Sequence, residues 1–256
     1  MKNYIHNVDK SAIPTVAILG VKIADIDMPW LLNFTQDNIH ALSGDYICVS
    51  NVHTTVSAND DPDYLAVQNG GILAIPDGGP LSTVGRKRGA KRMSRTTGPD
   101  YMEEIFKISA DKGYRHYFYG STPETLENLT RSISEKYPGI IIAGSYSPPF
   151  RPLTEDEDAD VTSAICAAEP DFVWIGLGAP KQENWMAAHQ GRVKGLMIGV
   201  GAGFDYFAGN IKRAPEFMQK HNLEWLYRLF QDPKRLLKRY LVTNTKYIWK
   251  AMIRGK

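Results

Sequence analysis

Short apolar runs recur along this chain at 16–21, 46–50, 72–75, 116–119, 140–143, 172–175 and 196–200, and amphipathic segments of helical length separate most of them. A strand that is followed by a helix returns to its sheet parallel to its start. The alternation therefore predicts an α/β fold, with a Rossmann-like, mostly parallel sheet, flanking helices and a basic helical C-terminal appendage. With 256 residues, 43% of them hydrophobic, the chain has enough apolar material for such a core.

Local chemistry marks the helix starts. Ser121-Thr122-Pro123-Glu124 offers a capping hydroxyl and a first-turn proline, and Gly98-Pro99-Asp100 precedes a helix expected over 101–112. The acidic run Glu155-Asp156-Glu157-Asp158 follows Thr154 at the start of a helix expected to reach Ala168. Acids in a first turn complement the helix dipole, which favours that role over metal binding. Pro233 is expected to end one helix and open another. Cys48 and Cys166 lie in apolar surroundings without metal or redox spacing, as in a reducing compartment.

The net charge of +2 is unevenly spread: from Asn222 onward nine Lys/Arg face only Glu224 and Asp232, while the remainder holds 21 basic and 26 acidic residues. This divides the chain into a core over 1–221 and a basic appendage over 222–256. On a helical wheel, Lys234, Arg235, Lys238, Arg239, Lys246 and Lys250 share one half. Leu236, Leu237, Tyr240, Leu241, Tyr247 and Ile248 share the other, and Val242, Trp249 and Ile253 break the partition. Such a helix suits an anionic membrane surface, a reading preferred here over packing on its own domain or in a homo-oligomer. Nucleic acid is disfavoured because the aromatics do not lie among the basic residues. Met1-Lys2-Asn3-Tyr4-Ile5-His6 lacks the apolar core of a secretion signal, and no stretch approaches the roughly 20 apolar residues that span a bilayer. These features predict a cytoplasmic protein.

Four polar constellations follow predicted strands. Pro76-Asp77-Gly78-Gly79-Pro80 places a carboxylate where open α/β sheets bind ligands, so Asp77 is the leading general base; the plainer role is a turn aspartate held by nearby N–H groups. In Asn51-Val52-His53-Thr54-Thr55, Asn51 is placed to bind substrate hydroxyls, while Thr54 and Thr55 suit helix capping equally well. Gly176-Leu177-Gly178-Ala179-Pro180-Lys181-Gln182-Glu183 joins glycines to polar side chains. Gln182 offers a donor and an acceptor to a sugar, and Lys181 suits phosphate. Gly199-Val200-Gly201-Ala202-Gly203-Phe204-Asp205 approaches the dinucleotide fingerprint, but Phe204 replaces its third glycine and it comes late in the chain, which argues against a nicotinamide enzyme.

Taken in order, these segments resemble the WecG/TagA/CpsF bacterial glycosyltransferases from about Ala17 to about Tyr240. Further markers are Asp61-Pro62-Asp63-Tyr64, Arg95 with Gly98-Pro99-Asp100, Ala208-Gly209, Lys212-Arg213-Ala214-Pro215 and Leu223-Glu224-Trp225. The resemblance implies inverting transfer of a sugar, of N-acetylmannosamine type or a related hexose, from a UDP-sugar to a polyprenyl-diphosphate-linked saccharide. The setting would be cell-wall, capsule or exopolysaccharide synthesis at the inner face of the cell membrane. It also implies that Asp77 is the base, that Gln182 and Arg95 line the site, and that Arg228, Arg235 and Lys238 of the appendage complete it. Asn51, His53, Gly78, Lys181, Glu183, Gly199, Gly201 and Asp205 join the expected substrate-binding set. Several relatives place Thr-Pro before the asparagine, where this chain has Val49-Ser50.

Four Asp-x-Asp triplets, at Asp25, Asp61, Asp156 and Asp158, raise the question of a divalent metal, but none follows a strand beside the expected site. Metal-independent transfer is therefore expected, with no cofactor and with Arg228 and Arg235 neutralising the departing diphosphate. The alternatives are a non-catalytic protein that binds a nucleotide-sugar or polyprenyl phosphate, and a nucleotide-sugar epimerase or dehydrogenase.

Overall fold

A computed structural model describes residues 8–253, and all their side chains except those of Lys220, Arg235, Lys238, Arg239 and Met252. After a hairpin, β1 (Thr15–Ile18) and β2 (Val21–Ala24), the chain runs α1 (Met28–Asn38), β3 (Tyr46–Ser50), α2 (Val52–Asp60), α3 (Pro62–Gly70), β4 (Leu73–Pro76), α4 (Gly79–Lys87) and α5 (Gly98–Lys112). It continues through β5 (Arg115–Gly120), α6 (Pro123–Lys136), β6 (Ile141–Tyr146), α7 (Glu155–Ala167), β7 (Phe172–Gly176), α8 (Lys181–Ala188) and β8 (Leu196–Gly199). Four helices follow, α9 (Gly203–Phe207), α10 (Glu216–Lys220), α11 (Glu224–Gln231) and α12 (Pro233–Tyr247), the last passing into a π-helical segment, Ile248–Ile253.

Strands β3 to β8 form a six-stranded parallel sheet in the order β4-β3-β8-β7-β5-β6. Side chains alternate across it. Phe172 and Trp174 face a layer built with α1, α5, α6 and α9, while Val173 and Ile175 face α2, α3, α4, α7 and α8. Burial on both faces explains why the strands read as continuous apolar runs.

The run at 16–21 is expected as one strand, but Leu19 (φ 52°) and Gly20 (φ 89°) turn it back into the antiparallel β1–β2 hairpin, which lies against β4. Helix α5 begins earlier than expected: Thr97 is its cap, accepting from the Asp100 amide at 3.2 Å, and Asp100 sits inside the first turn. The caps at Thr122 and Thr154 are as expected, and Glu157 completes a capping box with Thr154.

Helix α12 packs on α2. Leu236, Thr243, Tyr247 and Ala251 are buried, the Tyr247 hydroxyl donates to the Pro80 carbonyl at 3.2 Å, and Arg88 donates to the Ala251 carbonyl at 2.9 Å. Lys246 and Lys250 reach the two oxygens of Asp60 at 2.7 and 2.6 Å. The apolar half of the wheel is thus divided. Part of it docks on the core, together with two of the lysines, and Leu237, Leu241 and Ile248 remain exposed beside Val242, Trp249 and Ile253.

Candidate active site

The carboxyl ends of β4, β3, β8 and β7 lie side by side, and each releases one of the polar segments singled out in the sequence. From β3 the chain passes outward through α2 and α3 to β4, whereas neighbouring β8 leads into α9 and the C-terminal helices. Such divergence opens a crevice at the strand ends.

Asp77 leaves β4 with its amide donating to the Ser50 carbonyl at 2.7 Å, which sets it beside Asn51 at the end of β3. The next residue, Gly78, has φ 109°, a conformation that favours glycine and lets the chain turn at once into α4. Asn51 caps α2: its Oδ1 accepts from the His53 and Thr54 amides at 3.0 and 3.2 Å, and Thr54 returns a bond to the Asn51 amide. The Asn51 amide group is left to donate to Asp77. Asn51 is therefore a cap and a partner of Asp77 at once, and half-buried His53 lies in the same first turn.

Burial pushes the Asp77 carboxyl up to about 6; Glu224 adds to the rise, while Arg95, Arg228 and the Asn51 bond oppose it. These charges belong to a ring of groups. Arg95 donates to Asp100 at 3.2 Å and to Glu224, and Arg213 pairs with Asp100 at 2.5 Å. The Tyr206 hydroxyl donates to Glu224 at 3.3 Å, and the guanidinium groups of Arg213 and Arg228 lie 5.8 and 5.9 Å from the Tyr206 ring centre. Among the described residues no carboxylate lies within ion-pairing distance of Arg228, whose charge acts on Asp77 and on the Tyr206 ring. A cavity of about 430 Å³ adjoins this ring, lined by Gly79, Ser82, Arg86, Arg95, Glu216, Gln219 and Asn222.

The structure places other expected residues differently. Gln182 is buried; its Oε1 accepts from the Gly178 and Gly201 amides at 3.2 and 3.1 Å, and its Nε2 donates to Glu183 at 2.8 Å. It holds two loops together and does not present its amide to a sugar. Glu183 has no exposed surface, because α8 turns it into the core. Gly199 is buried against Gln182, whereas Lys181 is exposed at the start of α8. Asp205 accepts from Asn210 at 3.1 Å and steadies the loop after α9. The side chains of Arg235 and Lys238 lie outside the described residues.

Carboxylates of the Asp-x-Asp triplets have local duties. Asp25 accepts from the Lys91, Arg92 and Met93 amides, Asp27 and Asp61 cap helices, and Asp158 binds His189 and Arg192.

A family model described as "Glycosyl transferase WecG/TagA/CpsF family" matches residues 16–256. The chain belongs to this family. It is similar to the Bacillus subtilis (strain 168) protein named N-acetylglucosaminyldiphosphoundecaprenol N-acetyl-beta-D-mannosaminyltransferase, at 34% identity over 193 residues, 75% of this chain and 73% of the relative. Proteins of the same name from Bacillus spizizenii (31% identity; 80% of this chain, 77% of the relative) and Staphylococcus aureus strain MW2 (28% identity; 89% of each) are also similar.

In this WecG/TagA/CpsF chain, Glu224, Tyr206, Arg213 and Asp100 belong to the charged ring joined to Arg95, yet the sequence alone assigns them no role. Asp100, Arg213 and Glu224 lie inside family-marker segments, the one signal that pointed to them. Tyr206 follows the marked Phe204-Asp205 pair.

Proposed function

We propose that this glycosyltransferase moves a sugar of the N-acetylmannosamine type from a UDP-sugar onto a polyprenyl-diphosphate-linked saccharide, inverting the anomeric centre. The observation that carries the reading is Asp77, held at a strand end with its proton affinity raised, beside a cluster of arginines. The names of the similar Bacillus and Staphylococcus proteins supply the sugar and acceptor classes.

In the reaction the acceptor hydroxyl attacks the anomeric carbon from the face opposite UDP. Its proton passes to the Asp77 carboxylate, the new C–O bond forms, and the bond to UDP breaks with the electron pair leaving on the phosphate oxygen. A general base in this position contributes roughly 10²–10⁴-fold. Arg228, which has no carboxylate partner among the described residues, meets the charge that develops on UDP, so that transfer proceeds without a divalent metal.

No helix among the described residues is long and apolar enough to cross a membrane. Exposed Trp225, Phe230, Leu237, Leu241, Ile248, Trp249 and Ile253 gather on the C-terminal helices, which supports peripheral contact with the inner face of the cell membrane, where a polyprenyl-linked acceptor resides.

The test is turnover of a panel of UDP-sugars with a short-chain polyprenyl-diphosphate saccharide, with the product anomer read by NMR. Asp77→Asn is expected to abolish turnover and keep UDP affinity. Unchanged turnover in that variant, or a product of retained configuration, refutes the mechanism.

A further inference from the structure

Gln182 and Glu183 are consecutive at the start of α8, where neighbouring side chains ordinarily diverge by about 100°. Here they are hydrogen-bonded to each other in the interior, Nε2 to Oε1 at 2.8 Å. The far end of the Gln182 amide accepts from both the Gly178 and Gly201 amides, in the first turns beyond β7 and β8. The glutamine packs directly on the end of β8, because a Cβ at Gly199 would come within 2.9 Å of Nε2.

A primary amide offers donors at one end and an acceptor at the other, and a half-turn about its last bond exchanges them. If Gln182 were reversed, its NH₂ group would confront two backbone N–H donors and both loops would lose their tie. The neighbour that rules this out must accept at Nε2. Glu183 Oε1 does so whether or not the carboxyl carries a proton. Its other oxygen, Oε2, makes no hydrogen bond of good geometry although the residue is fully buried, and the Tyr64 hydroxyl is the side-chain partner nearest to hand. An acid placed in the interior is expensive to keep, and burial raises its proton affinity although the Gln182 and Tyr64 bonds oppose the rise. Tyr64 and Cys48 are the titratable groups that face it. Behind Tyr64, a chain of bonds through Gln68 (2.9 Å) and Ser50 (2.7 Å) runs back to β3 and anchors the carboxyl's surroundings to the sheet.

We propose that Glu183 is a positioning residue: it sets the orientation of the Gln182 amide, and so clamps the two glycine turns that form the β7–β8 wall of the crevice where the UDP-sugar binds. The last step rests on the glycosyltransferase reading; the clamp itself does not.

The experiment is residue-resolved hydrogen–deuterium exchange on the full chain, paired with donor KM and kcat. Glu183→Leu fills the space without an acceptor. It is expected to speed exchange at Gly178 and Gly201 by about tenfold or more, the equivalent of one lost hydrogen bond, and to raise donor KM more than it lowers kcat. Glu183→Gln, which keeps an acceptor oxygen, recovers most of both losses. Should Glu183→Leu not fold, the exchanged pair decides. Gln182→Glu alone sets two carboxyl groups against each other, whereas Gln182→Glu with Glu183→Gln restores one donor facing one acceptor and is expected to restore protection at both glycines. Protection at Gly178 and Gly201 that is unchanged in Glu183→Leu, or a double variant no better protected than Gln182→Glu, overturns the clamp. Altered exchange with unaltered donor KM overturns only the link to the donor.

Discussion

The proton affinity of Asp77 can be moved in either direction by single substitutions, which makes the base assignment open to a decisive pH experiment. With its carboxyl held at about 6, kcat/KM is expected to climb with pH and level off above neutrality. Near pH 5 about one-tenth of the carboxyl is ionised, so the rate there is about tenfold below the plateau. Arg95 is the largest influence opposing the rise. Replacing it with Met removes a positive neighbour, so the acid limb moves to higher pH. Glu224→Gln removes a negative neighbour and moves the limb to lower pH. Asp77→Asn loses roughly 10²–10⁴-fold and has no limb of this origin. The fold itself responds with a fixed sign. A carboxyl whose affinity rises from 3.8 to about 6 on folding contributes stability that is present below pH 3.8 and is lost as pH rises through 6. At neutral pH, Asp77→Asn is therefore expected to melt at a higher temperature than the native protein. A limb near 4, or shifts of the same sign in the Arg95 and Glu224 variants, refutes the assignment.

Asp60→Ala removes the shared partner of Lys246 and Lys250; these pairs are partly exposed and worth about 0.2–1 kcal/mol each, so protease sensitivity of α12 is expected to rise with little change in the global melt. Gly199→Ala places a methyl within 2.9 Å of the Gln182 amide and 3.0 Å of Met186, and is expected to destabilise by about 1–3 kcal/mol in denaturant titration. Chelator is expected to leave turnover unchanged, and Arg228→Ala to slow it while added manganese gives no recovery. Loss of activity with chelator that manganese reverses would sink metal-free transfer.

The parallel sheet is legible because strands buried on both faces must be apolar along their length, as 172–175 is. The hairpin is not, because nothing in Leu19 announces a positive φ. The wheel of the appendage separates basic from apolar residues, but it cannot tell which apolar residues meet the core. Tyr247 and Leu236 do, while Leu237 and Leu241 do not. The position of Asp77 at a strand end is readable from the apolar run before it, whereas the direction taken by Gln182 depends on what α8 packs against. The charged ring beside Asp77 is still less legible, since it joins Arg95 to Glu224 across 129 positions, and no local pattern encodes such a pairing.

Glu224 and Arg228 stand one turn apart on α11 and act on Asp77 with opposite sign. If that helix lifts from the sheet, both influences vanish together, and Arg95, released from Glu224, keeps its pull on Asp77. The carboxylate then holds protons less tightly, and the crevice stands open to water. On the proposed mechanism an undocked molecule is a poorer catalyst, so the proton affinity of Asp77 reports whether the C-terminal helices are in place.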